Sequence, residues 1–174
     1  MLLLFQCGLR IGELQALQWD EIEFIDECKA KVYVNSSWDK TQYGKNHKEP
    51  KIRAIKRIIP ISDSYTISVL KRAWATSKGN LWVAENETEL RPIDKHNFSK
   101  RYFTKVGKEL DIEKYLSSYV ARHTFISNLV QHNVLYTTIA KLVGNDTTEM
   151  IIKVYAHPIN DEKEEFRLVE NICL

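Results

Sequence analysis

The chain has 174 residues, of which 44% are hydrophobic and 28% charged, so one globular domain is expected and a disordered or fibrous chain is excluded. Its 25 Lys and Arg residues nearly balance 23 Asp and Glu, and the net charge of +2 argues, taken alone, against a nucleic-acid partner. The apolar start, residues 1–5, is far shorter than the roughly 18 residues of a membrane span and lacks a basic leader, so neither membrane contact nor a signal peptide is predicted.

The charge is unevenly distributed along the chain, and this reverses the first impression. Seven Lys and Arg stand against one Glu between 40 and 57, and six stand against one Asp between 91 and 108. Acidic segments at 1–39 and 159–174 cancel this charge in the total. Two basic segments of this kind predict a phosphate-binding surface. Each segment, considered alone, fits a solvent-exposed face without a partner equally well.

The first half of the chain is predicted to hold two short helices and a β-hairpin. Apolar residues at helical spacing and alternating β-favouring residues define these elements. They are a helix ending at Gly8, a helix over 11–17, a strand over 31–36, a polar loop over 38–50 and a partner strand over 53–61. The hairpin therefore carries the first basic segment in and beside its turn.

The second half is predicted to be nearly all helical. Its elements are a helix from Ser62 or Asp63 to about 77, a short strand over 81–83, a helix over 95–110 with Phe98 and Leu110 on one side, a helix from Ser117 or Ser118 to about 132, a helix over 137–143 ended by Gly144, a helix opened by Asp146 and stopped by Pro158, and an amphipathic helix over 161–173. The fold class is mainly α with a small antiparallel β-sheet, that is, α+β.

Several common chemical signatures are missing from the sequence. It has no glycine-rich phosphate loop and no G-x-S-x-G motif, and its five histidines lack metal-ligand spacing. The three cysteines, Cys7, Cys28 and Cys173, are odd in number and widely spaced, which fits a reducing compartment. No metal and no cofactor are therefore predicted.

One ordered series of motifs does indicate a chemistry. Its members are GLRIGEL at 8–14, Lys51 and Arg57 ahead of IPI at 59–61, ARHTF at 121–125, LVG at 142–144 and YAH at 155–157. The series resembles the catalytic domain of the tyrosine recombinases, also called the phage integrase family. That family arranges an Arg, a hairpin Lys, an H-x-x-R motif, a His or Trp, and a nucleophilic Tyr in this order.

The resemblance implies a role for each matching residue. Arg10 and Arg122 are the two catalytic arginines, and Glu13 orients Arg10. Lys51 is the hairpin lysine, with Lys48 and Lys56 as alternatives. Tyr155 is the nucleophile, which forms a 3′-phosphotyrosine link to DNA.

The chain departs from the family pattern at two positions. Tyr119 stands where H-x-x-R has its His, and Asn145 stands where a His or Trp usually follows L-x-G. A tyrosine hydroxyl is a weaker proton acceptor than an imidazole near neutral pH, and an amide cannot act as an acid. We interpret both positions as part of the catalytic site, and whether the two substitutions reduce activity is left open. His123 and His157 are interpreted as supporting residues.

The implied partner is double-stranded DNA carrying attachment or core sites. The candidate DNA-binding residues are the cations of the two basic segments, namely Lys45, Lys48, Arg53, Lys56, Lys95, Lys100 and Arg101. Family practice implies a homotetramer on DNA for the full-length protein, with a monomer left open for the isolated domain. The implied location is the cytoplasm of a prokaryotic host.

The expected domain organisation is a single catalytic domain over 1–174. We expect it to be a fragment that lacks its first residues and the family's N-terminal DNA-binding domain. Residues 159–174 form a C-terminal helix that either covers this domain or acts as an exchange arm between subunits. Three alternatives remain: a type IB topoisomerase-like enzyme, a catalytically weakened DNA-binding relative, and a helical interaction protein without DNA chemistry.

Overall fold

The computed structural model describes residues 1–38, 47–48, 56–77, 79–86, 91–112 and 116–155. Several predictions lie outside these residues. They concern Lys45, Lys51, Arg53, His157, the helix over 159–174 and the side chains of Lys48 and Lys95. The described part is mostly helical with a small antiparallel sheet, as the sequence predicts.

Two short helices open the chain. Helix α1 spans Leu2–Cys7 and buries Leu3, Leu4 and Cys7, and helix α2 spans Ile11–Ala16. Gly8 ends α1 in the left-handed conformation, with φ of 58°, which glycine adopts without the Cβ clash of other residues. The predicted C-cap at Gly8 is confirmed.

Three antiparallel strands form the main sheet. They are β1, Ile22–Phe24, β2, Ala30–Val34, and β5, Arg57–Ile61, in the order β1-β2-β5. Alternate residues of β2 and β5 are buried, in register with Val32 opposite Ile59. The predicted hairpin is confirmed, whereas β1 was missed because three residues are too few to display an alternation.

Two further ladders are only two residues long. Strand β3, Ser37–Trp38, pairs with β4, His47–Lys48, inside the segment predicted as a loop. Strand β6, Glu85–Asn86, pairs with β7, Arg91–Pro92. The strand predicted over 81–83 is wrong: Trp82 makes a single bridge to Gln18, and no continuous partner strand runs beside it in the described residues.

The middle of the chain holds one regular helix and one interrupted helix. Helix α3 spans Ser64–Thr76, and the Asp63 carboxylate caps it by accepting from the Thr66 amide at 2.8 Å. The interrupted helix consists of α4, Lys95–Phe98, a π-helical turn, Ser99–Phe103, and α5, Thr104–Glu109. Leu110, expected on the same side as Phe98, is 65% exposed, and it lies just beyond the last residue of α5, as its C-cap.

The last described third is a three-helix unit. Helix α6 spans Ser118–Gln131 with Ser117 as its N-cap, α7 spans Tyr136–Val143, and α8 spans Glu149–Tyr155. Helix α8 begins two residues later than a cap at Asp146 predicts, and the Thr148 carbonyl accepts its first backbone bonds. The predicted stop of α7 at Gly144 is confirmed, with φ of 68°.

Helix α6 joins two hydrophobic clusters. Ala121 belongs to the cluster that includes α1, α2 and the main sheet, and Ile126 belongs to the cluster of α6, α7 and α8. Residues 122 and 123, which follow Ala121 directly, therefore lie near the junction of the two clusters. Among the described ranges, no helix combines the length and apolar character that crossing a bilayer requires.

Candidate active site

A buried carboxylate organises the site. Glu13 is 2% exposed and lies on the first turn of α2. Arg57 donates to it twice, from Nη1 to Oε1 at 3.0 Å and from Nη2 to Oε2 at 2.9 Å. Arg10 donates from its backbone amide to Oε2 at 2.8 Å and from Nη1 to Oε1 at 3.1 Å. Both carboxylate oxygens are thus engaged by two cations.

These contacts keep the carboxylate ionised. Burial acts to raise the pKa of Glu13, but the hydrogen bonds and charge of Arg57, aided by Arg10, outweigh burial and lower the pKa below its ordinary value. A buried charge is stable only when it is paired and hydrogen-bonded in this way. Glu13 therefore acts as a fixed anion that holds Arg10 in place.

Arg10 stands at the start of α2 with its side chain 40% exposed. Its Nη2 donates to the Gly144 carbonyl at 3.0 Å and to Asn145 Oδ1 at 3.1 Å. The side chain is therefore held by the turn after α7 as well as by Glu13, while part of the guanidinium faces solvent.

Arg122 is more deeply placed, at 8% exposure. Its Nη1 donates to the Gly8 carbonyl at 2.7 Å, and its Nη2 donates to the Val143 carbonyl at 2.6 Å and to Asn145 Oδ1 at 3.2 Å. Burial and the neighbouring charge of Arg10 lower the pKa of Arg122 to about 10. The guanidinium consequently stays charged at neutral pH.

Asn145 links the two arginines. Its Oδ1 accepts from Nη2 of Arg10 and from Nη2 of Arg122, so one oxygen holds both guanidiniums. Such a bridge offsets part of the repulsion between two cations. The sequence places Asn145 at this site, but the bridge follows only from the tertiary structure.

Two aromatic residues and an imidazole form the other side of the site. The Tyr155 hydroxyl, at the end of α8, contacts Nδ1 of His123 on α6. The Tyr119 ring packs edge-on against the His123 ring, with centroids 4.1 Å apart. Burial, and then Tyr119, raise the pKa of Tyr155 to about 12, while burial and the Arg122 charge lower the pKa of His123.

These groups line one pocket of about 170 Å³. Its polar walls are Arg10, Tyr119, Arg122, His123, Asn145 and Tyr155. Six of the predicted site residues, together with Glu13 directly behind Arg10, therefore meet in space from four separate parts of the chain. Within the described ranges no group of three or more His, Cys, Asp or Glu side chains is placed to hold a metal ion.

A second cavity of about 400 Å³ lies on the other side of Asn145. Lys56 and Lys141, both exposed, line it together with Thr137 and Thr148. Among the described residues, Lys56 is the predicted DNA-binding residue that lines this cavity. Lys100 and Arg101 are exposed on the π-helical turn and line neither cavity.

Arg57 is a residue of the site to which the sequence assigned no role beyond marking the hairpin motif. Besides holding Glu13, it donates from Nε to the Leu142 carbonyl at 2.7 Å, and it leaves no room for a side chain at Gly144. Its position on β5 is the signal that was available: Arg57 shares the inward face with Ile59 and Ile61. An arginine on a buried face needs an anion, and Glu13 supplies it.

Two arginines and a tyrosine line one pocket of a fold that is mostly helical with a small antiparallel sheet. The chain belongs to the phage integrase family, whose sequence model matches residues 1–162. It is 30% identical over 162 residues to the integrase of Staphylococcus phage L54a, covering 86% of this chain and 44% of that protein. It is 27% identical over 181 residues to a XerC-like tyrosine recombinase of Caldanaerobacter subterraneus, covering 93% and 46%. The chain spans less than half the length of these two relatives.

Solved structures share this fold. The Tn1549 transposon integrase, in complex with transposon right end DNA, matches with a TM-score of 0.75 at 20% identity, over 94% of this chain and 55% of that chain. The XerA recombinase matches with a TM-score of 0.67 at 17% identity, over 97% and 53%. The expected fold class, a tyrosine recombinase catalytic domain, is confirmed.

Proposed function

We propose that this chain is the catalytic part of a site-specific DNA recombinase that cuts and rejoins strands through a 3′-phosphotyrosine intermediate. The observation that carries the proposal is the single pocket in which Arg10 and Arg122, bridged by Asn145, stand beside the Tyr155 hydroxyl. Family membership and integrase relatives support the same function.

The two arginines fit the charge that develops on phosphate. Attack on a phosphodiester increases negative charge on its non-bridging oxygens, and planar guanidiniums that remain charged can donate to both. Their hydrogen bonds to Glu13, Gly8, Val143 and Asn145 fix their orientation before DNA arrives. Donors held in advance in this way are usually the largest source of rate enhancement.

Tyr155 is the proposed nucleophile. Its oxygen bonds to phosphorus as the bond to the 5′-oxygen breaks, and the resulting phosphotyrosine ester preserves the energy needed to rejoin the strand. Lys51 is the proposed acid that protonates the leaving 5′-oxygen, with Lys48 and Lys56 as alternatives. Lys56 is exposed beside the second cavity, adjacent to the site through Asn145.

The proposed partner is duplex DNA carrying attachment sites. Complexes of the Tn1549 integrase with transposon DNA, and of XerH recombinase with its difH substrate, support DNA as the ligand. We further propose a homotetramer on DNA, a preceding DNA-binding domain in the full-length protein, residues 159–174 as an arm between subunits, and action in the prokaryotic cytoplasm, where the chromosome lies.

A nicked duplex tests the proposed chemistry. The full-length protein is incubated with nicked duplexes tiled across the DNA that flanks its own coding sequence, so that strand cleavage releases a short fragment and traps the intermediate. We expect a covalent protein–DNA adduct that Tyr155→Phe abolishes. The matched control is Tyr136→Phe, which removes a hydroxyl from the N-terminus of α7, away from the pocket.

The outcomes separate the alternatives. Recombinant products that form only when two paired sites are present, together with the adduct, support a recombinase. Relaxation of any supercoiled plasmid supports a topoisomerase-like enzyme. DNA binding without any adduct identifies a catalytically weakened relative and contradicts the proposal. An adduct that survives Tyr155→Phe contradicts the assigned nucleophile.

A further inference from the structure

The proposed nucleophile needs a proton acceptor, and the family's usual His is replaced by Tyr119. The Tyr155 hydroxyl is half-buried, and its raised pKa, about 12, leaves it protonated at neutral pH. A phenol in this state attacks phosphorus slowly unless a neighbouring group removes its proton.

Among the described residues of the pocket, one side chain both contacts the hydroxyl and can take up a proton near neutral pH. Nδ1 of His123 contacts Tyr155 Oη directly. Position 123 is one helical turn beyond position 119 on α6, so both side chains lie on the same face of the helix. The Tyr119 ring packs against the imidazole and restricts its orientation.

We infer that His123 is a catalytic residue, the general base that accepts the Tyr155 proton during strand cleavage. The inference rests on the proposed function. Tyr155 Oη bonds to phosphorus while the bond from phosphorus to the 5′-oxygen breaks, the phenol proton moves to His123 Nδ1, and the proposed Lys51 protonates the 5′-oxygen. Rejoining reverses each transfer, so His123 returns its proton to Tyr155.

The surroundings keep His123 in the form that this role requires. The ionisable groups that face it across the pocket are Arg122 and Tyr119 from its own helix, Arg10 from the start of α2 and Tyr155 from α8. Helix α1, which packs on α6, contains no charged residue. Burial and Arg122 lower the pKa of the imidazole, so it is neutral and able to accept a proton at neutral pH.

A sulfur-substituted substrate separates a base from an acid. In a duplex whose 5′-bridging oxygen is sulfur, the leaving group is a thiolate, which departs without a proton because thiols ionise near pH 8.5. We expect His123→Asn, which keeps an acceptor near Nδ1 but cannot take a proton, to slow adduct formation on the order of 100-fold with both oxygen and sulfur substrates. Lys51→Ala should slow adduct formation only with the oxygen substrate. Rescue of His123→Asn by sulfur would overturn the inference.

The dependence of cleavage on pH provides a readout that a purely structural role does not affect. With the sulfur substrate, the wild-type rate should rise through the lowered pKa of His123 and then level off. The His123→Asn rate should instead keep rising towards the pKa of Tyr155, about 12, because only phenolate attacks. Profiles that coincide for the two proteins would contradict a base at position 123.

Controls keep the two proposals distinguishable. His132→Asn changes an exposed histidine at the end of the same helix, whose Nδ1 contacts the Asn128 carbonyl, and should leave rate and profile unchanged. Free imidazole should restore cleavage to His123→Ala, and failure to do so counts against the inference. If His123→Asn does not fold, the wild-type protein alone provides the test. A wild-type rate that does not rise through the pKa of His123 with the sulfur substrate would overturn the inference. Absence of any wild-type adduct instead overturns the proposed function.

Discussion

At the scale of single residues, the site depends on one buried ion pair. The side chains of Glu13 and Arg57 are 1% and 2% exposed, and two hydrogen bonds between them stabilise both charges in the interior. The same pair fixes Arg10 through Glu13 and the turn after α7 through Leu142. Stability and the geometry proposed for catalysis therefore share the same contacts.

Removing one partner of this pair should be costly. We expect Arg57→Met to lower the free energy of unfolding by about 3–5 kcal/mol, because among the described residues Glu13 then keeps Arg10, 40% exposed, as its cation. Urea denaturation at neutral pH measures the change. Lys31→Met, which breaks the exposed pair of Lys31 with Glu23, is the matched control and should shift the midpoint far less. Equal shifts in the two variants would contradict the role assigned to burial.

The same carboxylate should contribute to acid sensitivity. Because the pKa of Glu13 is lowered in the folded state, its stabilising contribution is complete above its ordinary value of 4.5 and is lost as pH falls below it. Glu13→Gln should therefore be less stable than wild type at neutral pH, and the difference should shrink as pH falls below the ordinary value of 4.5. Urea midpoints measured from neutral to acidic pH test the effect. A difference that is independent of pH would show that the charge of Glu13 is not its source.

At the scale of elements, the packing of α1 on α6 positions Arg122. Gly8 ends α1 with a positive φ, and a Cβ there would meet Phe125 Cδ1 of α6 at 2.4 Å. The Gly8 carbonyl accepts from Arg122. The close approach of the two helices is therefore also what brings a backbone acceptor to the guanidinium.

Two glycine substitutions separate backbone strain from this close approach. Gly79→Ala introduces only the strain of a positive φ, because nothing lies within 4 Å of its Cβ, and should cost about 1–2 kcal/mol. Gly8→Ala should cost about 1–3 kcal/mol more, because it also overpacks against Phe125. Thermal unfolding with urea titration measures both. Similar losses would indicate that the contact between α1 and α6 yields easily.

At the scale of the whole molecule, the positions of the charged residues matter more than the net charge. Lys56, which immediately precedes β5, and Lys141 of α7 are far apart in sequence and both line the second cavity beside the proposed active site. The near-neutral total of +2 conceals this local excess. Local charge of this kind is what phosphate backbones respond to.

The salt dependence of DNA binding measures this contribution. Lys56→Gln and Lys141→Gln should each weaken binding to duplex DNA and reduce the slope of log affinity against log salt by about 1, if each lysine contacts one phosphate as we propose. Lys71→Gln is the control, because Lys71 lines neither cavity and is paired with Glu27. Unchanged slopes in the first two variants would exclude the second cavity from the DNA-binding surface.

The sequence by itself predicted most of the described elements and the polar residues that share the pocket. Caps at Asp63, Ser117 and Gly144 and the alternation of β5 are local signals, and local signals survive folding because they depend on backbone conformation. Motif order placed Arg10, Arg122, Tyr155, Tyr119 and Asn145 in one site, and the pocket contains them all.

Only the tertiary structure decided how those residues are connected. The ion pair of Arg57 with Glu13, the bridge through Asn145 and the contact of His123 with Tyr155 join residues that are 23 to 135 positions apart, and no local pattern records such pairings. The π-helical turn over Ser99–Phe103 also leaves no signal in the sequence, because a regular period assumes uniform hydrogen bonding. The sequence specifies the type of each residue, whereas the side chains that it contacts depend on which elements pack together.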